Sequence, residues 1–265
     1  MKSPLKIVII GAGNVAQHIA LSFKDTTRIS ISQVFNYRST KKSKAFAKEN
    51  QCEFISDYSN IHVSADVYII CVKDEAIADV VKHLIPLNLK GLVVHTSGSM
   101  GLSVLKKTSA TIGVYYPLQS FSASDNINWK YTPIFIEANS NKSMSVLKSI
   151  ATSVSSTVKE INSEKRLQFH LAAVFACNFT NALYNAAFSL IEATLSKKDS
   201  NLLLPIMKQS FHKLSIMTPK QAQTGPAMRQ DNIVMKKHLE LLKSNKQLSA
   251  VYKLISELIV SQQTM

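Results

Sequence analysis

The stretch Leu5–Ala16, LKIVIIGAGNVA, constrains the fold more than any other part of the chain. Leu5 to Ile10 is an apolar run rich in β-branched residues, the mark of a buried strand. Gly11-Ala12-Gly13-Asn14-Val15-Ala16 follows at once, and Val15, Ile19, Ala20 and Phe23 then repeat at helical spacing. A G-x-G-x-x-A sequence between a strand and a helix is the dinucleotide-binding fingerprint in its required setting. Gly11 permits the tight turn, Gly13 lets a pyrophosphate approach the backbone, and small Ala16 lets helix and strand pack closely. The N–H groups at the helix start face the phosphates, whose charge the helix dipole favours.

Strand and helix alternate as far as residue 162. Ile29–Tyr37 is the second strand. In an NAD site an acidic residue near its end holds the ribose hydroxyls. Here that place falls at the neutral Asn36, followed by Arg38, Ser39, Thr40, Lys41 and Lys42. A carboxylate would repel a 2′-phosphate. Arg38 can pair with one in bidentate fashion, and Ser39 and Thr40 can donate hydroxyls, so the expected cofactor is NADP(H). Further strands are expected over 52–55, 65–72, 91–95, 112–116, 133–138 and 157–161, with helices over 41–50, 74–84 and 142–154. The turn through Val72 and Lys73 is expected beside the nicotinamide ribose, with Asp74 as a helix N-cap. Thr96–Ser99 and Pro117–Ser120 follow strands on the same sheet edge, where such sheets hold ligands.

Beyond Ser163 the pattern is helical throughout. The expected architecture is therefore α/β, a Rossmann-type, mostly parallel sheet over 1–162 followed by an all-α domain over 163–265. Ser163 is expected to cap a long helix reaching Leu195, with later helices near 200–217, 232–243 and 246–262. On a wheel of 100° per residue Asn178, Asn181 and Asn185 fall about 80°, 20° and 60° from His170, one polar stripe some 22 Å long. The stripe either lines a substrate cleft or makes hydrogen bonds in a core or subunit contact. A long helix apolar on most sides needs burial, so a homodimer built through the helical domain is expected.

With 265 residues, 46% of them hydrophobic, the chain can bury a sizeable core. A net charge of +14 raises the question of nucleic acid. The lysines are scattered in pairs and not interleaved with aromatic residues, so no nucleic-acid partner is expected, only a general attraction for small anions. Cys52, Cys71 and Cys177 show neither a disulfide framework nor metal-ligand spacing, which suits a reducing cytoplasm. Cys71 and Cys177 sit in apolar runs and read as buried. The segment MKSPLKIVII is too soon interrupted for a signal peptide, and no apolar run is long enough to span a membrane.

The stretches GAGNVA (11–16), NYRS (36–39), HTSGS (95–99), YYPLQSF (115–121), HLAAVFACNFTNALY (170–184) and TGPAMRQD (224–231) together resemble the NADP oxidoreductases with a Rossmann-like N-terminal domain and an uncharacterised helical C-terminal domain. That group is similar in layout to pyrroline-5-carboxylate reductase and, more distantly, to 6-phosphogluconate and prephenate dehydrogenases. The resemblance implies that hydride passes between nicotinamide and a small carbonyl, imine or alcohol carbon, while the protein positions substrate and handles a proton. Catalytic candidates are His170, Asn178 and Ser97. Histidine titrates near neutrality and suits proton donation. Candidate substrate contacts are Gln119, Asn181 and Arg229; Arg229 can pair with a substrate carboxylate or equally with Asp231 or a chain end. A different class also fits the same sequence, an NADP(H)-binding sensor without turnover.

Overall fold

The computed structural model describes residues 3–109 and 111–264. Met1 and Lys2, which begin the segment read against a signal peptide, lie outside them. The chain forms two compact units, Met1–Cys177 and Asn178–Met265.

In the first unit, among the described residues, eight strands form one sheet in the order β3-β2-β1-β4-β5-β6-β7-β8. They are β1 (Leu5–Ile10), β2 (Ile29–Phe35), β3 (Glu53–Ile55), β4 (Val67–Ile70), β5 (Leu92–His95), β6 (Ile112–Pro117), β7 (Ile134–Ala138) and β8 (Val158–Glu160). Strands β1 to β6 are mutually parallel, so their carboxyl ends share one edge. β7 runs antiparallel to β6. Only a single 3-10 turn, Trp129–Tyr131, interrupts the return from β6, and an antiparallel pair needs no crossover helix.

Alternate side chains of β1 serve the two faces of the sheet. Ile7 and Ile9 pack with Ala16, Ile19 and Phe23 of α1 (Asn14–Phe23), Phe46 of α2 (Lys41–Glu49), and Leu147 and Ile150 of α4 (Asn141–Thr152). Val8 and Ile10 pack with Ile77, Val80, Val81 and Leu84 of α3 (Asp74–Leu84). Burial on both faces is why these strands read as continuous apolar runs instead of alternating ones.

Several expectations need correction. β2 ends at Phe35, two residues before Tyr37, because Asn36 turns the chain by donating its amide to the Arg38 carbonyl at 2.6 Å. Lys73, not Asp74, is the N-cap residue of α3; Asp74 is its first helical residue and accepts the Ser99 hydroxyl instead. Helix α5 (Ser163–Ala173) is capped by Asn162, whose side chain accepts the Lys165 N–H at 2.9 Å. Ser163 is free for other bonds. The helix does not run evenly to Leu195: a π segment, Val174–Phe179, separates α5 from α6 (Thr180–Glu192). A π turn closes i→i+5, so a wheel of 100° per residue does not carry across it. Cys177, in that segment, is exposed, while Cys71 is buried as expected. No residue of the π segment is buried, so its apolar neighbours do not shield the thiol.

The second unit is helical: α6, α7 (Leu204–Lys213), α8 (Pro219–Ala222), α9 (Asn232–Leu241) and α10 (Lys246–Thr264). The helix expected from Ser200 begins as a 3-10 turn, Asp199–Leu203, with Pro205 in the first turn of α7, where its missing N–H costs nothing. No helix of the described residues is long and apolar enough to cross a membrane.

Candidate functional site

The carboxyl edge of β1 is shaped by two glycines with different duties. Gly11 has φ of +112°, and a Cβ there would lie 2.4 Å from the Cys71 carbonyl oxygen at the end of β4. Only glycine can make this turn against the neighbouring strand. A Cβ on Gly13 would meet nothing within 4 Å, which leaves open space over the start of α1. Gly13 is the N-cap residue and provides no side chain to take the N–H groups of Asn14, Val15 and Ala16. Ala12, Asn14 and Val15 are partly exposed, while Ala16 is fully buried against the sheet. An open backbone, free N–H groups and the positive end of a helix dipole together fit a pyrophosphate.

Beside this turn is a cavity of about 440 Å³ lined by Gly11, Asn36, Tyr37, Val72, Ala76 and His83 among others. Tyr58 forms part of its wall, stacked on His83 at 4.5 Å between ring centroids and 4.2 Å from the Phe35 ring. The apolar, ring-lined wall suits a flat heterocycle. Above it Asn36, Arg38, Ser39 and Thr40 form one braced turn. Thr40 caps α2 in a reciprocal box with Ser43, and the Ser43 hydroxyl also reaches the Arg38 carbonyl at 3.3 Å. Arg38 and Ser39 are exposed, and among the described residues no carboxylate pairs with the Arg38 guanidinium. Lys73 is exposed beside Glu75 at 3.8 Å, and the Val72 side chain packs near Gly11. The residues present therefore fit an NADP-type dinucleotide.

The loop after β5 is fixed from several sides. Ser97 is buried, and its hydroxyl oxygen accepts the N–H groups of Ser99 and Met100 at 3.1 and 2.9 Å. The Ser97 N–H donates to His95 Nδ1 at 3.2 Å. His95 is fully buried, and desolvation, with the nearby Arg166 charge adding to it, pushes its pKa down to about 4. Arg166 of α5 is 1% exposed, pairs with Glu137 of β7, and donates to the Met100 carbonyl at 2.5 Å. The Ser163 hydroxyl donates to Glu137 at 2.8 Å and accepts the Leu102 N–H at 3.0 Å. A buried charge tolerates this position only because its partner is a carboxylate with further hydrogen bonds.

His170 lies at the last turn of α5, its Nδ1 3.2 Å from the Tyr116 hydroxyl at the end of β6. A Cβ on Gly98 would sit 2.7 Å from that same nitrogen, so the loop backbone covers this edge of the ring. Burial raises the Tyr116 pKa above the ordinary tyrosine value. Gln119 is exposed, its side-chain oxygen accepting the Ser120 N–H at 2.9 Å. The next residues are clamped to α1: Asn14 donates to the Phe121 carbonyl at 3.2 Å, and His18 Nε2 lies 2.8 Å from the Ser122 carbonyl.

The expected residues thus divide. The glycine turn, the Asn36–Thr40 turn, Val72, Lys73, Ser97 and Gln119 all lie at the carboxyl edge of the first unit, which also holds His170. Asn178, Asn181 and Arg229 belong to the second unit and are exposed. Arg229 has no ion-pair partner among the described residues, and Asp231 is engaged as the cap of α9. Tyr116, His95, Glu137 and Arg166 escaped the sequence reading. Tyr116 alone had a signal, its place at the end of a strand on the ligand edge. Arg166 reads as an ordinary surface helix residue.

Residues 6–107 match the family described as NADP oxidoreductase, coenzyme F420-dependent, and residues 132–259 match the domain of unknown function DUF2520. No curated protein matches the chain in sequence. A crystal structure from Bacteroides fragilis, described as a "putative NADP oxidoreductase", is 34% identical over 98% of this chain and 99% of that one, with a TM-score of 0.88. The reductive aminase of Aspergillus terreus, solved with NADPH and ethyl-5-oxohexanoate, is 15% identical over 98% and 94%, with a TM-score of 0.72. The pyrroline-5-carboxylate reductase of Coxiella burnetii is 20% identical over 98% and 97%, with a TM-score of 0.56. The last two likenesses are of fold.

Proposed function

The chain belongs to the family of NADP oxidoreductases in which a Rossmann-like N-terminal region precedes a helical C-terminal one, and on that premise we propose an NADP(H)-dependent enzyme acting on a small carbonyl, imine or alcohol. The observation that carries the cofactor choice is the free Arg38 guanidinium on a braced turn behind neutral Asn36. Gly11, Ala12, Gly13, Asn14 and Val15 would hold the pyrophosphate; Asn36, Arg38, Ser39 and Thr40 the 2′-phosphate and ribose; Val72 and Lys73 the segment towards the nicotinamide. Bound NADP(H) supplies or takes the hydride. The fold shared with a reductive aminase that binds NADPH and a keto ester supports a carbonyl or imine substrate.

The protein's own tasks are positioning and proton handling. His170 is the proposed proton donor. The Ser97 oxygen is occupied by two backbone N–H groups, so its support is to shape the loop that approaches His170. Gln119 remains a proposed substrate contact, as do Asn178, Asn181 and Arg229 on residue chemistry alone. A homodimer is proposed on burial: in the second unit Ala227 and Leu242 are the buried apolar residues among those described, while Leu202, Ile206, Phe211, Ile216, Ile233, Leu241 and Leu254 are more than 60% exposed. The cytoplasm is the proposed compartment, on three unpaired cysteines.

The test is NADPH oxidation, followed by absorbance, across a panel of small ketones, keto acids and cyclic imines. Turnover that falls by about 10²–10⁴ in His170→Gln, with NADPH affinity kept, is the expected result. Stoichiometric NADPH binding with no oxidation across the panel would make the chain a nucleotide sensor.

A further inference from the structure

The two edges of the His170 ring stand in different surroundings. The Nδ1 edge faces the Tyr116 hydroxyl at 3.2 Å, and the Gly98 backbone closes over it so tightly that a methyl group there would sit 2.7 Å from Nδ1 and 2.9 Å from Tyr116 Cζ. Nε2 has no protein partner among the described residues and is not among the buried, unsatisfied atoms. Tyr116 is buried at the end of strand β6, its ring T-shaped to His170 and 6.2 Å from Phe135. Its hydroxyl has no partner but Nδ1 among the described residues.

We propose that Tyr116 is a positioning residue that turns Nδ1 of His170 into the protein and keeps Nε2 as the nitrogen that meets the substrate oxygen. Because its hydroxyl has no other acceptor, it donates to Nδ1 of the neutral ring, which therefore carries its proton on Nε2. A hydroxyl can also accept. When the ring is charged, Nδ1–H donates to the Tyr116 oxygen and the ring keeps the same orientation. A carboxylate or a backbone carbonyl, which only accepts, would hold the proton on Nδ1 in both states and leave Nε2 bare in the neutral ring. Gly98 is part of the device, since its bare backbone excludes water from the bonded edge.

The proposal rests on the oxidoreductase reading for its chemical step. Reduction of a carbonyl moves hydride from NADPH to carbon, leaving NADP⁺ and an alkoxide. The charged ring gives its Nε2 proton to the alkoxide oxygen, forming the alcohol. The ring is left transiently in its Nδ1–H form, held by the Tyr116 oxygen; solvent protonation at Nε2 restores the charged donor, and the resting neutral ring is the Nε2–H form.

The decisive experiment is nitrogen-15 NMR of histidine-labelled full-length protein, with His170 assigned by its loss in His170→Gln. At alkaline pH the neutral ring should show the proton on Nε2 in the parent and an exchanging mixture in Tyr116→Phe. A proton on Nδ1 in the parent, or an unchanged pattern in Tyr116→Phe, overturns the proposal. If Tyr116→Phe does not fold, the parent spectrum decides alone. With a turned-over substrate, Tyr116→Phe should lower kcat about fivefold with NADPH Kd unchanged, yet change it less than twofold in the His170→Gln background. Equal losses in both backgrounds would assign Tyr116 a role independent of His170 and also overturn it. The NMR result needs no turnover, so it can stand even if the oxidoreductase reading fails.

Discussion

Gly11 and His95 show how single residues set conditions for everything around them. At Gly11 a side chain meets both a left-handed φ and the Cys71 carbonyl. Gly11→Ala should therefore lower stability by about 2–5 kcal/mol and remove NADPH binding, as chemical denaturation and a fluorescence titration would show. An unchanged denaturation midpoint would refute that. His95 is buried neutral, its pKa down to about 4 from an unfolded value of 6.5. Between those values the unfolded chain binds the proton more readily, so stability rises with pH there. The contribution is fully present above pH 6.5 and is lost as pH falls towards 4, roughly 3 kcal/mol in all. Thermal melts from pH 7 to 4 should fall more steeply for the parent than for His95→Asn, whose side-chain oxygen can still accept the Ser97 N–H. Parallel curves would contradict the burial of a neutral imidazole. Gly11 was legible because its spacing in the fingerprint carries meaning. His95 was not, because nothing in GLVVHTSGS distinguishes a buried histidine from one facing a ligand.

Elements were legible where their physics is local. Apolar runs marked β1, β4, β5 and β6, and the 3.6-residue repeat marked α1 and α3. Connections between elements were not. A π segment leaves no mark on a helical repeat, so the break at Val174–Phe179 was not foreseen. The cap of α5 moved by one residue because Ser163 serves Glu137 and Leu102 instead. These contacts tie α5 to β7 and to the loop after β5, and Arg166 is their centre. Replacing Arg166 by Met leaves the Glu137 carboxylate without its cation and frees the Met100 carbonyl. A loss of about 3–5 kcal/mol is expected in urea denaturation, with Glu137→Gln/Arg166→Met together costing less than the sum of the singles. Additive losses would show that the two side chains do not act as a pair.

For the whole molecule, the order of an α/β region and a helical one was legible in the chain, while assembly depends on surfaces that no local pattern encodes. The exposed leucines, isoleucines and phenylalanine of the second unit are the basis of the proposed homodimer. Light scattering at micromolar concentration should return twice the chain mass of 29.3 kDa, and a monomer mass would exclude a stable dimer. The cofactor choice of the proposed NADP(H) enzyme is assigned to the turn after β2. Its most direct test is the pair of dissociation constants for NADPH and NADH, measured by fluorescence on the parent and on Arg38→Ala. A charge-assisted pair is worth about 1.5–3 kcal/mol, so NADPH should bind the parent at least tenfold more tightly than NADH, and Arg38→Ala should remove most of that difference by weakening NADPH alone. Equal affinities in the parent, or equal weakening of both cofactors in the variant, would contradict the account.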